Sequence, residues 1–256
     1  MVTWKGWDAV PGIGTEELGH VAGEAPMSEE YTLKESRWSS HGWVLSWLAG
    51  RTPRKVLDLG CSSGLLAAEV RRLGHVVTGV DAMAFPEAPA RMDRFFQANL
   101  DEGIPEVVGG DYAVIIAGDV LEHVRHPDRI LGEIRELLAP GGVALVSIPN
   151  FSHWYPRLRV LAGRFDYDDR GILDRDHVRF FTRRSFERLV RAAGLQIRRT
   201  ETTGVPVERL TNSQSPMVTW ASRLDRYAAM AYPSLFAYQY LFELSSARDH
   251  AAVHGE

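Results

Sequence analysis

The chain has 256 residues, of which 45% are hydrophobic and 24% charged, with a formal net charge of −4 and one cysteine, Cys61. This balance is ordinary for a globular protein that buries a sizeable core, and it excludes a disulfide-stapled scaffold and points to a reducing compartment. No uncharged apolar run is long enough to span a membrane, and Met1-Val2-Thr3-Trp4-Lys5 carries no basic-then-apolar leader, so the expected location is the cytoplasm, without stable membrane insertion.

In chain order, residues 1–30 are rich in Gly, Pro and Glu without a clear period and read as an N-terminal arm in which Trp4 and Trp7 are docking candidates. Residues 31–256 read as one domain. Leu33–Ala49 carries apolar residues at helical spacing and ends at Gly50. Lys55–Leu59 is a continuous apolar strand of the kind buried on both faces in a parallel sheet. A helix over Leu65–Leu73 stops at Gly74, and His75–Val80 is a second strand. Phe85–Arg94 is broken by prolines and holds a short helix. Arg94–Ala98 and Tyr112–Ala117 are the third and fourth strands. Pro127–Leu138 is a helix with proline in its first turn, and Val143–Ile148 is a strand stopped by Pro149. Residues 150–180 form an insertion full of Arg, Asp and aromatic residues. Ser185–Ala193 is a helix, Leu195–Thr202 a strand, Met217–Met230 a helix and Tyr238–Ser246 a last strand with partial alternation. Strands alternating with helices require a mostly parallel α/β sheet with right-handed crossovers and helices on both faces.

The most informative stretch is Val56-Leu57-Asp58-Leu59-Gly60-Cys61-Ser62-Ser63-Gly64, followed by Gly79-Val80-Asp81. A strand enters a glycine turn, a helix leaves it, and the next strand ends on an acid, the form of a nucleotide-binding unit. A dinucleotide site wants G-x-G-x-x-G for a pyrophosphate at the helix N-terminus. Here Asp58 precedes Gly60-Cys61-Ser62-Ser63-Gly64, which suits a cationic amino-acid moiety better. Asp81 suits a ribose diol, because two hydroxyl donors match the paired oxygens of a carboxylate. Cys61 reads as a small packing residue in the turn.

The turn resembles motif I of class I S-adenosylmethionine (SAM)-dependent methyltransferases, D-x-G-x-x-x-G. The resemblance is extended by Asp119-Val120-Leu121-Glu122-His123, by Leu138-Ala139-Pro140-Gly141-Gly142 and by Ser147-Ile148-Pro149-Asn150. Gly163–Tyr167 and Gly171–Thr182 narrow it to a small-molecule subgroup of methyltransferase domains found near glycosyltransferases and in metabolite pathways. The resemblance implies a Rossmann-like seven-stranded sheet in the order 3-2-1-4-5-7-6 with strand 7 reversed, with SAM as cofactor and S-adenosylhomocysteine as product. By the same resemblance Asp58, Gly60, Cys61, Gly64, Asp81 and Asp119 line the cofactor site. The adenine contact falls on Asn99-Leu100-Asp101, where many relatives place an Asp; the choice between Asn99 and Asp101 stays open. The (N/D)-P-P-(Y/F) motif of DNA amino-methylating enzymes is absent, since Ala117-Gly118-Asp119-Val120 stands there, so nucleic acid is not the expected partner.

Methyl transfer is an in-line displacement that mainly requires positioning, and a hydroxyl acceptor also needs a base. His123, His153 and His177 are the candidates, a histidine being poised near neutrality. Asp174 and Asp176 are suited to orient His177, and Glu122 and His123 also read as caps of the following helix. Twelve arginines against six acids between Asn150 and Arg199 suggest either a solvated face or a basic mouth for an anionic group. Asn150, Tyr155, Arg164, Tyr167 and Arg179 are therefore candidate substrate contacts, with Arg157 and Arg159 beside them. No metal is expected, because the oxygen-rich acid set of catechol-type enzymes is missing. The expected acceptor is the hydroxyl of a polar, sugar-bearing or anionic small metabolite. The alternatives are an amine of such a metabolite, or a non-catalytic binding subunit. A homodimer is compatible with such a sheet.

Overall fold

The computed structural model describes residues 39–205 and 216–247. The N-terminal arm with Trp4 and Trp7, and the first part of the helix expected from Leu33, lie outside them. The elements are α1 (Ser40–Leu48), β1 (Lys55–Leu59), α2 (Leu65–Arg72), β2 (Val76–Asp81), α3 (Ala88–Arg91), β3 (Arg94–Gln97), β4 (Tyr112–Gly118), α4 (Pro127–Leu137), β5 (Leu138–Pro149), α5 (Trp154–Leu161), α6 (Arg183–Ala192), β6 (Leu195–Thr203), α7 (Pro216–Ala231), α8 (Pro233–Phe236) and β7 (Gln239–Ser246). Single 3-10 turns at Leu100–Glu102 and Glu106–Val108 follow β3.

The seven strands form one sheet in the order β3-β2-β1-β4-β5-β7-β6. The first five are parallel, and β7 runs antiparallel to both β5 and β6. This is the expected Rossmann-like arrangement. Alternation along β4 shows why its apolar run is continuous. Ile115 and Ala117 join a core with Ile130, Leu131 and Ile134 of α4 and Phe186 and Val190 of α6. Val114 and Ile116 join the opposite core with Val44 and Leu48 of α1 and Leu66 and Val70 of α2. A central strand covered by helices on both faces has no solvent side, so polar alternation would leave charges buried.

Local chemistry sets the helix ends. Ser39 accepts from Gly42 N at the start of α1, and Thr182 forms a capping box with Ser185 at the start of α6. Pro127 occupies the first turn of α4, where its missing N–H costs nothing. Two departures from the sequence expectation, besides the short unexpected helix α8, bear on the site. β5 begins at Leu138 instead of Val143, because the Pro140-Gly141-Gly142 turn is absorbed as a register shift opposite Tyr112 and Val114. The insertion is not featureless: residues 154–161 are helical, and Pro156 is tolerated because it lies in the first turn. Among the described residues, no helix is long and apolar enough to cross a membrane.

Candidate functional site

In an open α/β sheet, ligands collect beyond the carboxyl ends of the strands where the order reverses. Here β1 and β4 part to either side of that point, and Gly60, Asp81 and Asp119 stand at the ends of β1, β2 and β4. Gly60 has φ +67°, and a Cβ there would collide with Cγ2 of Val120, so only glycine fits the turn. Gly64 has φ +80°, and its Cβ would come within 2.8 Å of Met92 Cε. Ser62 is also left-handed, at φ +50°, which costs a non-glycine residue on the order of 1 kcal/mol. That conformation aims Ser62 N–H at Asp81 Oδ2, 2.7 Å away, while Met83 N–H donates to Asp81 Oδ1 at 2.9 Å. The turn and the acid at the end of β2 are thus locked together.

Asp58 is 3% exposed, and its Oδ2 is sealed from solvent without a hydrogen-bond partner. Burial, reinforced by the nearby charge of Asp81, pushes its carboxyl up to about 7. Cys61 is buried against this pair, and burial followed by the charges of Asp58 and Asp81 raises its thiol well above the usual range. That chemistry excludes a reactive thiolate and supports the packing role. Leu100 is buried, whereas Asn99 is exposed and spends its Oδ1 on the Asp101 N–H at 3.0 Å. Asp101 in turn accepts from Arg125 N at 2.7 Å.

Asp119 is left-handed at φ +57°. Its carboxylate receives Ser147 Oγ at 2.6 Å from β5, Gln239 Nε2 at 2.8 Å from β7 and Ser40 Oγ at 3.4 Å from α1. Three elements far apart in sequence therefore fix one acid beside the glycine turn. Immediately after it come Glu122, 1% exposed, and His123, which is exposed. The insertion is stapled to this turn, since Val178 N and Arg179 N both donate to Glu122 O at 2.9 Å. The staple brings buried His177 to Glu122 and His123. The His123 and His177 rings are 4.7 Å apart, edge to face, and His177 Nε2 lies 4.0 Å from Glu122 Oε1. One ligand atom from each of these three residues lies within 4.8 Å of the other two, close enough to share a cation. Burial first, then the charge of His123, lowers the His177 pKa and keeps its ring neutral near pH 7.

A profile of the methyltransferase-domain family matches residues 42–200, well over half of the chain. The chain belongs to this family. It is a SAM-dependent methyltransferase, and SAM is its cofactor. The ubiquinone biosynthesis O-methyltransferase of Aeromonas salmonicida is 27% identical over 177 residues, covering 66% of this chain and 74% of that enzyme. The one from Nitrosococcus oceani is 34% identical over 110 residues, covering 40% of this chain and 45% of that enzyme. Among solved structures, magnesium protoporphyrin IX methyltransferase from Synechocystis, with bound S-adenosylhomocysteine, superposes with a TM-score of 0.54 at 17% identity over 81% of this chain and 82% of that one. A SAM-dependent methyltransferase from Mesorhizobium loti superposes with a TM-score of 0.56 at 17% identity over 80% of this chain and 97% of that one. At such identities these two likenesses report the shared fold.

The methyltransferase places the remaining candidates unevenly. His153 caps α5, its Nδ1 accepting from Tyr155 N at 3.3 Å, and burial lowers its pKa to about 4. Tyr155 Oη donates to Asp168 at 2.8 Å and accepts from Arg159 at 2.7 Å, a brace inside the insertion. Arg179 donates twice to Arg125 O. Arg164 and Tyr167 remain exposed, the latter beside the Phe165 and Phe180 rings. His177 is oriented by the Ile172 carbonyl at 3.2 Å, and Asp174 instead accepts from Asp176 N. Glu122 and His123 do not cap α4, whose N-cap is His126. The sequence offered no signal for Gln239, and Ser147 stood inside a motif without an assigned role.

Asn150 is fully buried. Its Nδ2 donates to Pro233 O at 3.2 Å and Ala237 O at 2.8 Å, and its Oδ1 accepts from Ser152 N at 2.9 Å. Asn150→Ala strips partners from three backbone groups and is expected to destabilise the methyltransferase by about 3 kcal/mol. Urea unfolding checks this; unchanged stability with weakened acceptor binding would return Asn150 to the substrate.

Proposed function

We propose that this methyltransferase transfers the methyl group of SAM to a hydroxyl oxygen of a small polar acceptor. The carrying observation is the Glu122–His123–His177 cluster beside Asp119, a proton-accepting group where a hydroxyl would stand. The two O-methyltransferase relatives support the choice of oxygen over nitrogen.

The residues of the cradle fit SAM. The sealed Asp58 oxygen calls for a cationic partner, which the α-ammonium of the cofactor would supply. Gly60 and Gly64 keep the turn free of side chains for close approach. Asp81 would receive the ribose diol, the Asn99–Leu100 segment would lie along the adenine, and Asp119 would bound the methionine side. When bound, SAM supplies a methyl on a sulfonium, so the acceptor oxygen's lone pair forms the C–O bond while the C–S pair returns to sulfur. The chain's own tasks are alignment of the acceptor and removal of the hydroxyl proton, the latter assigned to the cluster. Exposed Arg164 and Tyr167 stand on the insertion as contacts for a sugar or anionic handle.

The test is turnover of SAM with a panel of phenols, vicinal diols, sugars and amines, with products identified by mass spectrometry and methyl-proton NMR. Methyl ethers are expected. Exclusive formation of N-methyl products would overturn the oxygen assignment. His177→Ala should reduce turnover about 100-fold or more while SAM affinity stays within twofold.

A further inference from the structure

We propose that the outward face of α7 is an interface at which two copies of this chain pair as antiparallel helices. The proposal goes beyond the methyl-transfer reading and does not depend on it.

α7 is amphipathic in an inverted sense. Its inward side carries small or short groups. Ala229 is buried in the core shared with α4 and α6, Ser222 is buried, and Asp225 Oδ2 accepts the Val205 N–H at 2.6 Å just past β6. Its outward side carries Trp220, Leu224, Tyr227 and Met230, between 48% and 71% exposed. At about 100° per residue these four fall within a sector of roughly 120°. Tyr232, 69% exposed, follows the end of the helix. A helix that ends its burial at one side of a sheet normally turns its large apolar residues inward and its polar ones to water. Here the five large side chains leave roughly 600 Å² in water, at the upper limit of what a single chain exposes in one patch.

Area, composition and symmetry name the occupant. Two such faces bury about 1,200 Å² together, the lower bound for a specific protein interface. Trp, Tyr, Leu and Met around one exposed arginine, Arg223, have the make-up of an interface centre, which is poor in charge and enriched in aromatic residues, Met and Arg. A helix that lies on a bilayer needs a strongly cationic flank, whereas the charged residues of α7 are Arg223, Arg226 and Asp225. The face also fits itself. With a two-fold axis beside residue 225, Trp220 of one protomer meets the partner's Met230, and Arg223 and Leu224 both meet the partner's Tyr227. Each contact is then made twice, as a two-fold interface requires. The pairs are favourable in kind: a thioether against an indole, a guanidinium over a phenol ring and an aliphatic group against an aromatic one. Asp225 is turned away from the axis by its bond to Val205, so no two carboxylates meet there. A parallel pair would instead set Arg223 against its own copy. Pairing at α7 also braces the segment that runs through α8 to Gln239, the donor to Asp119.

The test is sedimentation velocity of the full chain across the micromolar range, where an interface of this size dissociates. The expected result is a reversible dimer whose dissociation constant rises at least about tenfold in Leu224→Arg, because the substitution enters the interface twice. Leu224 points outward, so thermal unfolding and S-adenosylhomocysteine affinity should stay at wild-type values and show that the variant is folded. Trp220→Cys and Met230→Cys chains, mixed and oxidised, should form a disulfide-linked dimer that neither forms alone; the native Cys61 is buried and gives no background. A wild type that stays monomeric, or a dimer indifferent to Leu224→Arg, overturns the interface. Linkage within either single variant instead of the mixture overturns the antiparallel register. A monomeric wild type that sediments with phosphatidylglycerol vesicles, and loses this in Leu224→Arg, assigns the face to a membrane and likewise overturns the proposal.

Discussion

Asp58→Asn is expected to make the unliganded protein more stable at pH 8 and to cripple cofactor binding. Asp58 is raised from 3.8 to about 7 in the folded chain by burial and by Asp81. Between those values the folded state holds a proton that the unfolded state has released. Stability therefore falls as pH rises from about 4 to 7, and above 7 the full loss is present. The loss is on the order of 3–4 kcal/mol. Asparagine removes the charge but buries an amide, at a cost of about 1 kcal/mol. The net expectation is a Tm higher by roughly 5–8 °C at pH 8, with the advantage gone at pH 4. Calorimetry at the two pH values checks the sign. Affinity for S-adenosylhomocysteine should fall about 50-fold at pH 8 through loss of the ammonium partner. In the wild type that affinity should weaken as pH drops below 7, and in the variant this dependence should flatten. An equal Tm change at both pH values would remove Asp58 as a buried ionisable group.

The second large effect belongs to Asp81. Its two oxygens already accept the Ser62 and Met83 N–H groups, yet each retains capacity for another donor. Asp81→Asn keeps one acceptor oxygen and turns an amide donor toward a backbone donor. The left-handed Ser62 turn loosens, and the ribose diol loses its paired acceptor. Two charge-assisted hydrogen bonds amount to about 3 kcal/mol, or roughly a 100-fold weaker affinity for SAM and for its product. Because Asp81 ends β2 instead of crossing the core, the loss of stability should stay near 1 kcal/mol. Isothermal titration beside thermal unfolding separates the two effects, and an unchanged affinity would move the ribose elsewhere.

The sheet was legible because its strands are buried on both faces. Tyr112–Ala117 appears as an unbroken apolar run and Lys55–Leu59 as a largely apolar one interrupted by Asp58, and the structure ends both within a residue of that expectation. The glycine turn was legible for the same local reason. The turn is tied to β2 by Gly60 N–H to the Val80 carbonyl and by Ser62 N–H to Asp81, contacts within one βαβ unit that a short window of sequence contains, although the side chain that bars a Cβ at Gly60 comes from Val120 after β4. The histidine cluster was legible only in pieces. His123 and His177 were both candidates, but their meeting depends on hydrogen bonds from residues 178 and 179 to Glu122, more than fifty positions away. Nothing in the Asp174-Arg175-Asp176-His177 run indicates that a carbonyl, not a carboxylate, orients the ring. Asn150 misleads for the opposite reason: a polar residue after a strand looks like a ligand contact until its three backbone partners are seen. α5 was missed because a proline in a first turn interrupts the apparent pattern while leaving the helix intact.

The position of β7 has a consequence for the order in which this enzyme can be made. It is the last strand of the described chain to be synthesised, yet it lies between β5 and β6 and supplies Gln239 to Asp119. Until it emerges from the ribosome, β5 has an open edge, β6 has no partner, and Asp119 lacks one of its donors. Such non-local closure is slow and exposes sheet edges to mispairing. A nascent chain stalled before residue 239 should therefore be a client for chaperones instead of a partly active enzyme, and cofactor affinity would emerge only with the final strand.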